Sequence, residues 1–315
     1  MKKSMQTLAR TGRALVAAGL LPGALPAAAT AGELAVSEPA GAEVAAHGTV
    51  DWWFEENLPY YLYDRGAGMP TSLFGTYVRK GELLFYPFYE YVLETDFEYN
   101  PDDFGVDLDE DFFGRGQTHQ YLVFAAYGFT DRLMAEAEFS FYEENTVERS
   151  GRDRGPGPRT FREAGPGTFE MQVRYRAIKE SETFPEVVAF VQSDFPFQKG
   201  KELTGTQEWE LAYGLAMIKG FRWGTLSARA ALQHEPESDY ADLGEWAVEY
   251  LKRFGSDGRH RVVATMEAQK DTEFSAIFEY QWFFHKNAML KLNSGFGLNR
   301  EAADFAPEIG VTFRF

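Results

Sequence analysis

Hydrophobic and polar residues alternate one by one along most of this chain. In "AMLKLNSGFGL" (288–298), Leu290, Leu292, Phe296 and Leu298 fall on one face and Lys291, Asn293, Gly295 and Gly297 on the other. "EFSAIFEYQWFF" (273–284) sets Phe274, Ala276, Phe278, Tyr280 and Trp282 against Ser275, Ile277, Glu279 and Gln281. "FEMQVRYRAIK" (169–179) sets Phe169, Met171, Val173, Tyr175 and Ala177 against Glu170, Gln172, Arg174 and Arg176. The last eight residues, "EIGVTFRF", place Ile309, Val311, Phe313 and Phe315 on one side. A period of two is the signature of a strand whose faces meet different surroundings.

The same reading predicts strands at 82–95, 117–129, 133–143, 186–197, 207–218, 222–234, 242–253 and 259–270, which with the three above and 304–315 makes twelve. Each is about ten to fourteen residues long, enough to cross a bilayer at a tilt, where an ordinary soluble strand averages about five or six. The expected fold is all-β: a single antiparallel transmembrane β-barrel of about twelve strands over 81–315. The competing fold is a soluble sandwich. The linkers favour the barrel, because such barrels alternate short inner turns with longer outer loops. Outer-type linkers are 96–116, 144–168, 198–206, 235–241, 271–272 and 299–303; inner-type linkers are 130–132, 180–185, 219–221, 254–258 and 285–287. The alternation of length is clear over the first three pairs and fades afterwards.

Ahead of the strands lie two other segments. Residues 1–31 carry Lys2, Lys3, Arg10 and Arg13, no acid, an apolar stretch and the small-x-small site Ala29-Thr30-Ala31. This is the layout of a secretory signal peptide. Residues 32–80 do not alternate. Their first part is rich in small residues and reads as a flexible tail. The part from 51 is dense in aromatics, with Trp52, Trp53, Phe54, Tyr60, Tyr61, Tyr63, Phe74 and Tyr77, which require a packing partner. The readings that stand are a plug entering the lumen from the periplasm, or a segment that packs at the inner rim or lies along the inner membrane interface.

Charge narrows the function. The chain has a net charge of −17, and removing the cationic leader leaves −21. So acidic a balance argues against nucleic acid as a partner, since its phosphates demand lysine and arginine. There is no cysteine, which excludes disulfides and thiolate metal sites. Aromatic residues make up 16% of the chain, in keeping with aromatic girdles at two membrane interfaces. The expected location is the outer membrane of a Gram-negative bacterium, with lipid and lipopolysaccharide as surroundings. Phe315 ends an apolar strand face, a feature that resembles the signal read by outer-membrane assembly machinery.

If the apolar faces meet lipid, the other faces line a lumen. Its acids are then Glu136, Glu138, Glu170, Asp194, Glu208, Glu210, Glu245, Glu249, Glu267, Glu279 and Glu308; its bases are Arg174, Arg176, Arg229, Arg261, Lys291 and Arg314. Eleven acids against six bases predict a conduit that prefers cations or neutral polar solutes. The alternative is a salt-bridged network that fills a non-transporting structural or surface-interaction barrel, since twelve strands lie between the packed and the open sizes.

Three further features bear on chemistry. "ETDFEYNPDDFGVDLDEDFF" (94–113) carries nine acids and no base, and Asp107, Asp109 and Asp111 have the D-x-D-x-D spacing of a calcium loop. Phe112 and Thr118 replace the glycine and glutamate an EF-hand needs, so the expectation is a weak divalent-cation site at most. The 145–167 linker is basic and rich in glycine and proline, free to fold toward this acidic loop or toward lipopolysaccharide. Of the five histidines, His47, His119, His234, His260 and His285, none has a serine two residues away on its strand, the arrangement a hydrolase would show. His119 is the remaining candidate for a proteolytic Asp/His site. An enzyme is not expected, nor is a cofactor.

The stretches "MPTSLFGTYVRKGELLFYPFYEY" (69–91), "YGFTDRLMAEAEF" (127–139), "GPGTFEMQVRYRAIKES" (165–181) and "FPFQKGKELTGTQEWEL" (195–211) resemble the outer-membrane proteins grouped with the MetA-type transporters of the phenol meta-pathway. The resemblance covers most of the chain beyond the leader. It implies an outer-membrane barrel passing small solutes, aromatic compounds among them, and assigns no individual site residue.

Overall fold

The computed structural model describes residues 58–315 apart from 199, 206–208, 235–240, 256 and 270–271. The predicted leader, the tail, and Trp52, Trp53, Phe54, His47 and Glu208 lie outside the described residues. Twelve strands form the wall: β1 Leu83–Tyr99, β2 Phe112–Gly128, β3 Leu133–Glu148, β4 Phe169–Ile178, β5 Glu186–Phe195, β6 Glu210–Phe221, β7 Gly224–His234, β8 Asp242–Phe254, β9 His260–Gln269, β10 Glu273–His285, β11 Ala288–Gly297 and β12 Ala306–Arg314. Each pairs antiparallel with the next, and β12 pairs back with β1 (Ile309 opposite Tyr89, Phe313 opposite Phe85), so the sheet closes on itself. Closure leaves no edge of unpaired backbone groups, which a strand structure in lipid requires.

Burial is inverted relative to a soluble protein. Leu215, Met217, Val248, Met266, Phe278, Leu292 and Ile309 are exposed, whereas Arg174, Gln192, Gln281 and Lys291 are buried at 3%, 2%, 0% and 0% exposure. The exposed apolar band is bounded by aromatic contacts at both strand ends. Phe139, Phe169, Phe195 and Trp209 form one run at the outer end. Phe221, Trp223 and Tyr250 stack at the inner end, near Phe254, His260 and Tyr280. These are the girdles expected at two lipid–water boundaries.

Two parts of the wall depart from the sequence reading. β1, β2 and β3 run farther outward than expected. A further strand, Thr160–Gly165, lies inside the linker read as 144–168 and pairs with the outer half of β3 (Glu143 opposite Gly165, Glu148 opposite Thr160). Flanking prolines and glycines hide its short alternation. This outer extension has its own core of Phe97, Tyr99, Val106, Val147, Phe161 and Leu203. Phe104 of the acidic linker stacks on Phe161 of the basic one at 4.1 Å, so the basic linker folds against the acidic one.

The second departure is inside. One side of the lumen is apolar: Leu84, Tyr86 and Phe88 of β1, Leu122, Phe124 and Ala126 of β2, and Met134 of β3 cluster there. "LLFYPFYEYV" is nearly all apolar, so its sequence carries no alternation to reveal which members point inward.

Candidate functional site: the lumen and its internal hairpin

The apolar wall is covered from within. Met69–Pro70 pairs with Tyr77–Val78 as a short hairpin, closed by the Thr71 N–H donating to the Thr76 carbonyl at 2.9 Å. Met69, Leu73 and Val78 pack on the apolar side, with Leu84, Tyr86 and Phe124. Phe74 and Tyr77 pack on the opposite side, with Leu251, Val263 and Ile277. Gly75, at φ +58°, permits that second contact. A Cβ there would lie 2.8 Å from Leu251 Cδ1 and 2.9 Å from Val263 Cγ2, too close for any other residue without movement. The hairpin therefore reaches from one wall of the lumen to the other.

Polar contacts tie it down. Both carboxylate oxygens of Glu136 accept from the Ser72 N–H, at 3.2 and 3.1 Å. Arg174 lies 3.3 Å from Glu136 and donates to the Pro70 carbonyl at 2.9 Å. Gln281 Nε2 donates to the Phe74 carbonyl at 2.9 Å, and Arg176 donates to the Gly68 carbonyl. Below the hairpin, Arg65 bridges Glu180 at 2.9 Å and Glu186 at 3.0 Å, with Arg176 also on Glu186 at 3.0 Å and Lys219 on Glu180 at 3.2 Å. Asp64 accepts from the Arg253 backbone at 3.0 Å and meets Lys252 at 3.2 Å.

Tyr60, Tyr61 and Tyr63 sit lower, at the inner rim, under Arg222, Lys219 and Arg253 respectively, with ring distances of 5.5, 5.1 and 5.0 Å. Rim packing and lumen filling thus describe different parts of one segment.

The sequence-derived lumen residues group as follows. Arg229 pairs with Glu245 and lies 3.9 Å from Glu267; Ser227 donates to Glu249 at 3.3 Å. Lys291 pairs with Glu279 at 3.0 Å and lies 4.8 Å from the Tyr86 ring, and Tyr86 donates to Glu308 at 2.5 Å. Arg261 is buried, 4.7 Å from the Phe283 ring, and Arg314 pairs with Glu82 at the inner end. Glu138, Glu170, Asp194 and Glu210 stand opposite one another in register across β3, β4, β5 and β6. The first three are buried.

The alternation already set Gln172 and Gln281 on the polar faces, and the structure makes them partners, Gln172 donating to Gln192 at 2.8 Å. Glu186 shares the same phase and was missed, although phase alone would have found it. Arg65, Asp64 and Tyr86 carry no such signal.

The remaining candidates are separate from the lumen. Asp107, Asp109 and Asp111 are exposed on the outer linker, where Asn100 Nδ2 donates to Asp109 at 3.0 Å and to Asp111 at 3.4 Å. Among the described residues no group of three or more acidic or histidine side chains is arranged to hold a metal. His119 hydrogen-bonds Tyr89 at 2.7 Å and lies against Tyr91. His260 bonds Tyr280 at 2.7 Å. His285 accepts from the Asn287 backbone at 3.2 Å, and His234 ends β7.

A closed barrel of twelve strands, apolar outside and charged inside, is a transmembrane β-barrel of the outer-membrane class. Solved structures of this kind resemble it. The COG4313 outer membrane channel from Pseudomonas putida F1 is 16% identical, with a TM-score of 0.49 over 75% of this chain and 96% of that one. The KdgM porin in complex with disordered oligogalacturonate is 7% identical, with a TM-score of 0.43 over 73% of this chain and 99% of that one. Outer membrane phospholipase A from Escherichia coli is 9% identical, with a TM-score of 0.39 over 81% and 97%. No protein-family model and no curated protein matches the sequence.

Proposed function

We propose that this protein is an outer-membrane channel for passive passage of small solutes, gated by the hairpin 69–78, with a preference for cationic or neutral polar molecules. The observation that carries this reading is how the hairpin is attached. It crosses the lumen, yet side-chain contacts hold it and its backbone does not join the wall's ladder. Polar cavities lie on both sides: an outer one lined by Glu90, Glu267 and Asn293, and an inner one lined by Arg65, Tyr77, Arg253 and Arg261. The resemblance to the MetA-type family extends the candidate solutes to small aromatic compounds. In the same reading the leader 1–31 is removed on export, Phe315 serves recognition by the assembly machinery, and the outer linkers face lipopolysaccharide.

Single-channel recording in planar bilayers tests the gate. Deletion of 49–78 raises conductance several-fold over the full mature chain; equal conductance discards the gate. A second reading, a non-transporting barrel stabilised by its interior, is favoured by the pairing of the buried Arg65, Arg174, Arg176 and Lys291 with acids. It requires both proteins to be silent.

A further inference from the structure

Arg261, on β9, is 6% exposed and forms no ion pair or hydrogen bond among the described residues; its guanidinium lies over the Phe283 ring, 4.7 Å away. The acids whose charge it feels, Asp64 and Glu279, are taken by Lys252 and Lys291. Its register partner on β8 is another arginine, Arg253, and like charges directly opposite one another are unfavourable. A buried charge without a counter-charge is costly, and a guanidinium does not give up its proton to escape that cost.

Tyr77, on the hairpin, is a second group of this kind. It is 7% exposed, Arg65 lies against its ring at 5.2 Å, and its O–H makes no hydrogen bond among the described residues. Arg261 and Tyr77 line the same inner cavity, with Gly75, Thr76 and Met289. Burial covers the Arg261 Nε completely but leaves Nη1, Nη2 and the Tyr77 oxygen with accessible surface, so the donors that lack acceptors are ones a ligand in the cavity can reach. Arg65 and Arg253 line it too, but they are engaged, Arg65 by Glu180 and Glu186 and Arg253 by the Gly258 carbonyl.

We infer that the inner cavity binds a small carboxylate, acetate being the simplest case, which bridges the wall and the hairpin. A carboxylate is flat and carries two acceptor oxygens, the shape that a guanidinium fork holds with two parallel hydrogen bonds. The Arg261 Nη groups donate to it from the wall, and the Tyr77 O–H donates from the hairpin. A spherical anion cannot match the fork, and a neutral amide of the same shape brings no charge to offset that of Arg261. The site lies on the inner side of the hairpin and stands whether or not a solute passes through the barrel.

Ligand-observed NMR titration of the full mature protein in detergent, at neutral pH and low salt, tests it with acetate and acetamide, which share a shape and differ in charge. The expected result is saturable binding of acetate, about ten-fold or more tighter than acetamide. Arg261→Met brings acetate down to the acetamide level, and because it removes an unpaired buried charge it does not depend on a weakened fold. Tyr77→Phe weakens acetate about three-fold. Equal binding of the two probes by the unmodified protein, or no saturable binding, overturns the inference without relying on any variant folding. Acetate binding that survives Arg261→Met overturns it as well, since the anion then sits elsewhere. The readout is independent of conduction: a conducting barrel that does not bind acetate removes only this site, whereas a binding barrel that never conducts removes only the channel.

Discussion

Glu136, on β3, receives the Ser72 N–H on both of its carboxylate oxygens while Arg174, on the neighbouring β4, holds the same carboxylate and the Pro70 carbonyl. Wall and hairpin therefore share one buried ion pair, and loosening the pair loosens the hairpin.

Glu136→Ala leaves Arg174 buried without its acid. Breaking a buried pair in this way costs roughly 3–5 kcal/mol. The expected outcome is a higher open probability in planar bilayers together with a lower urea midpoint. Removing both partners, with Glu136→Gln and Arg174→Met, restores most of the stability and keeps the high open probability. A double variant as closed as the parent would show that the apolar contacts of Met69, Leu73 and Phe74 suffice.

Leu215 faces outward near the middle of β6 and is 58% exposed. In lipid, Leu215→Arg should lower the folding free energy into vesicles by about 2–4 kcal/mol, the cost of a cation at the bilayer midplane. Measured by reversible urea unfolding, a change below about 0.5 kcal/mol, typical of a water-exposed site, would mean that this face does not meet lipid.

Glu249 lines a cavity together with Arg229, and Glu245 pairs with Arg229. Glu245→Gln with Glu249→Gln removes two negative charges and leaves Arg229 less opposed. The reversal potential in a potassium chloride gradient should move toward zero or change sign. Unaltered selectivity would place the filter elsewhere, with the row Glu138, Glu170 and Asp194 as the next place to look.

In the basic outer linker, Arg149 donates from Nε and Nη2 to both oxygens of Asp153 at 2.5 Å, and Tyr99 adds a third hydrogen bond at 2.9 Å. The Arg149 guanidinium, more than the opposing effect of burial, holds the Asp153 carboxyl down at about 2. A carboxyl depressed on folding stabilises fully above its unfolded value of about 3.9 and loses that contribution as pH falls toward 2. Hydrogen exchange of amides 145–165, corrected for intrinsic rate, should be steady from about pH 7 to 5 and rise only below about pH 4. Asp153→Asn should abolish that pH-dependent rise; loosening already near pH 6 would contradict the assignment.

The wall could be read from the order of residues alone. Alternation with period two is a direct consequence of a strand having lipid on one side and polar contents on the other, so strand number, antiparallel order and the outward phase of Ile309, Phe278 or Tyr175 were all legible locally. The same phase placed Glu136, Arg174, Arg229, Glu279 and Lys291 on one face before any partner was known. Who pairs with whom emerges on folding, because partners such as Arg65 and Glu186 lie 121 positions apart. Folding also decided what fills the lumen. Residues 64–78 have no periodicity to read, and β1 is apolar on both faces: one meets lipid and the other the hairpin. A residue pattern reports the polarity of each side of a strand, but two apolar sides look alike whichever one faces inward.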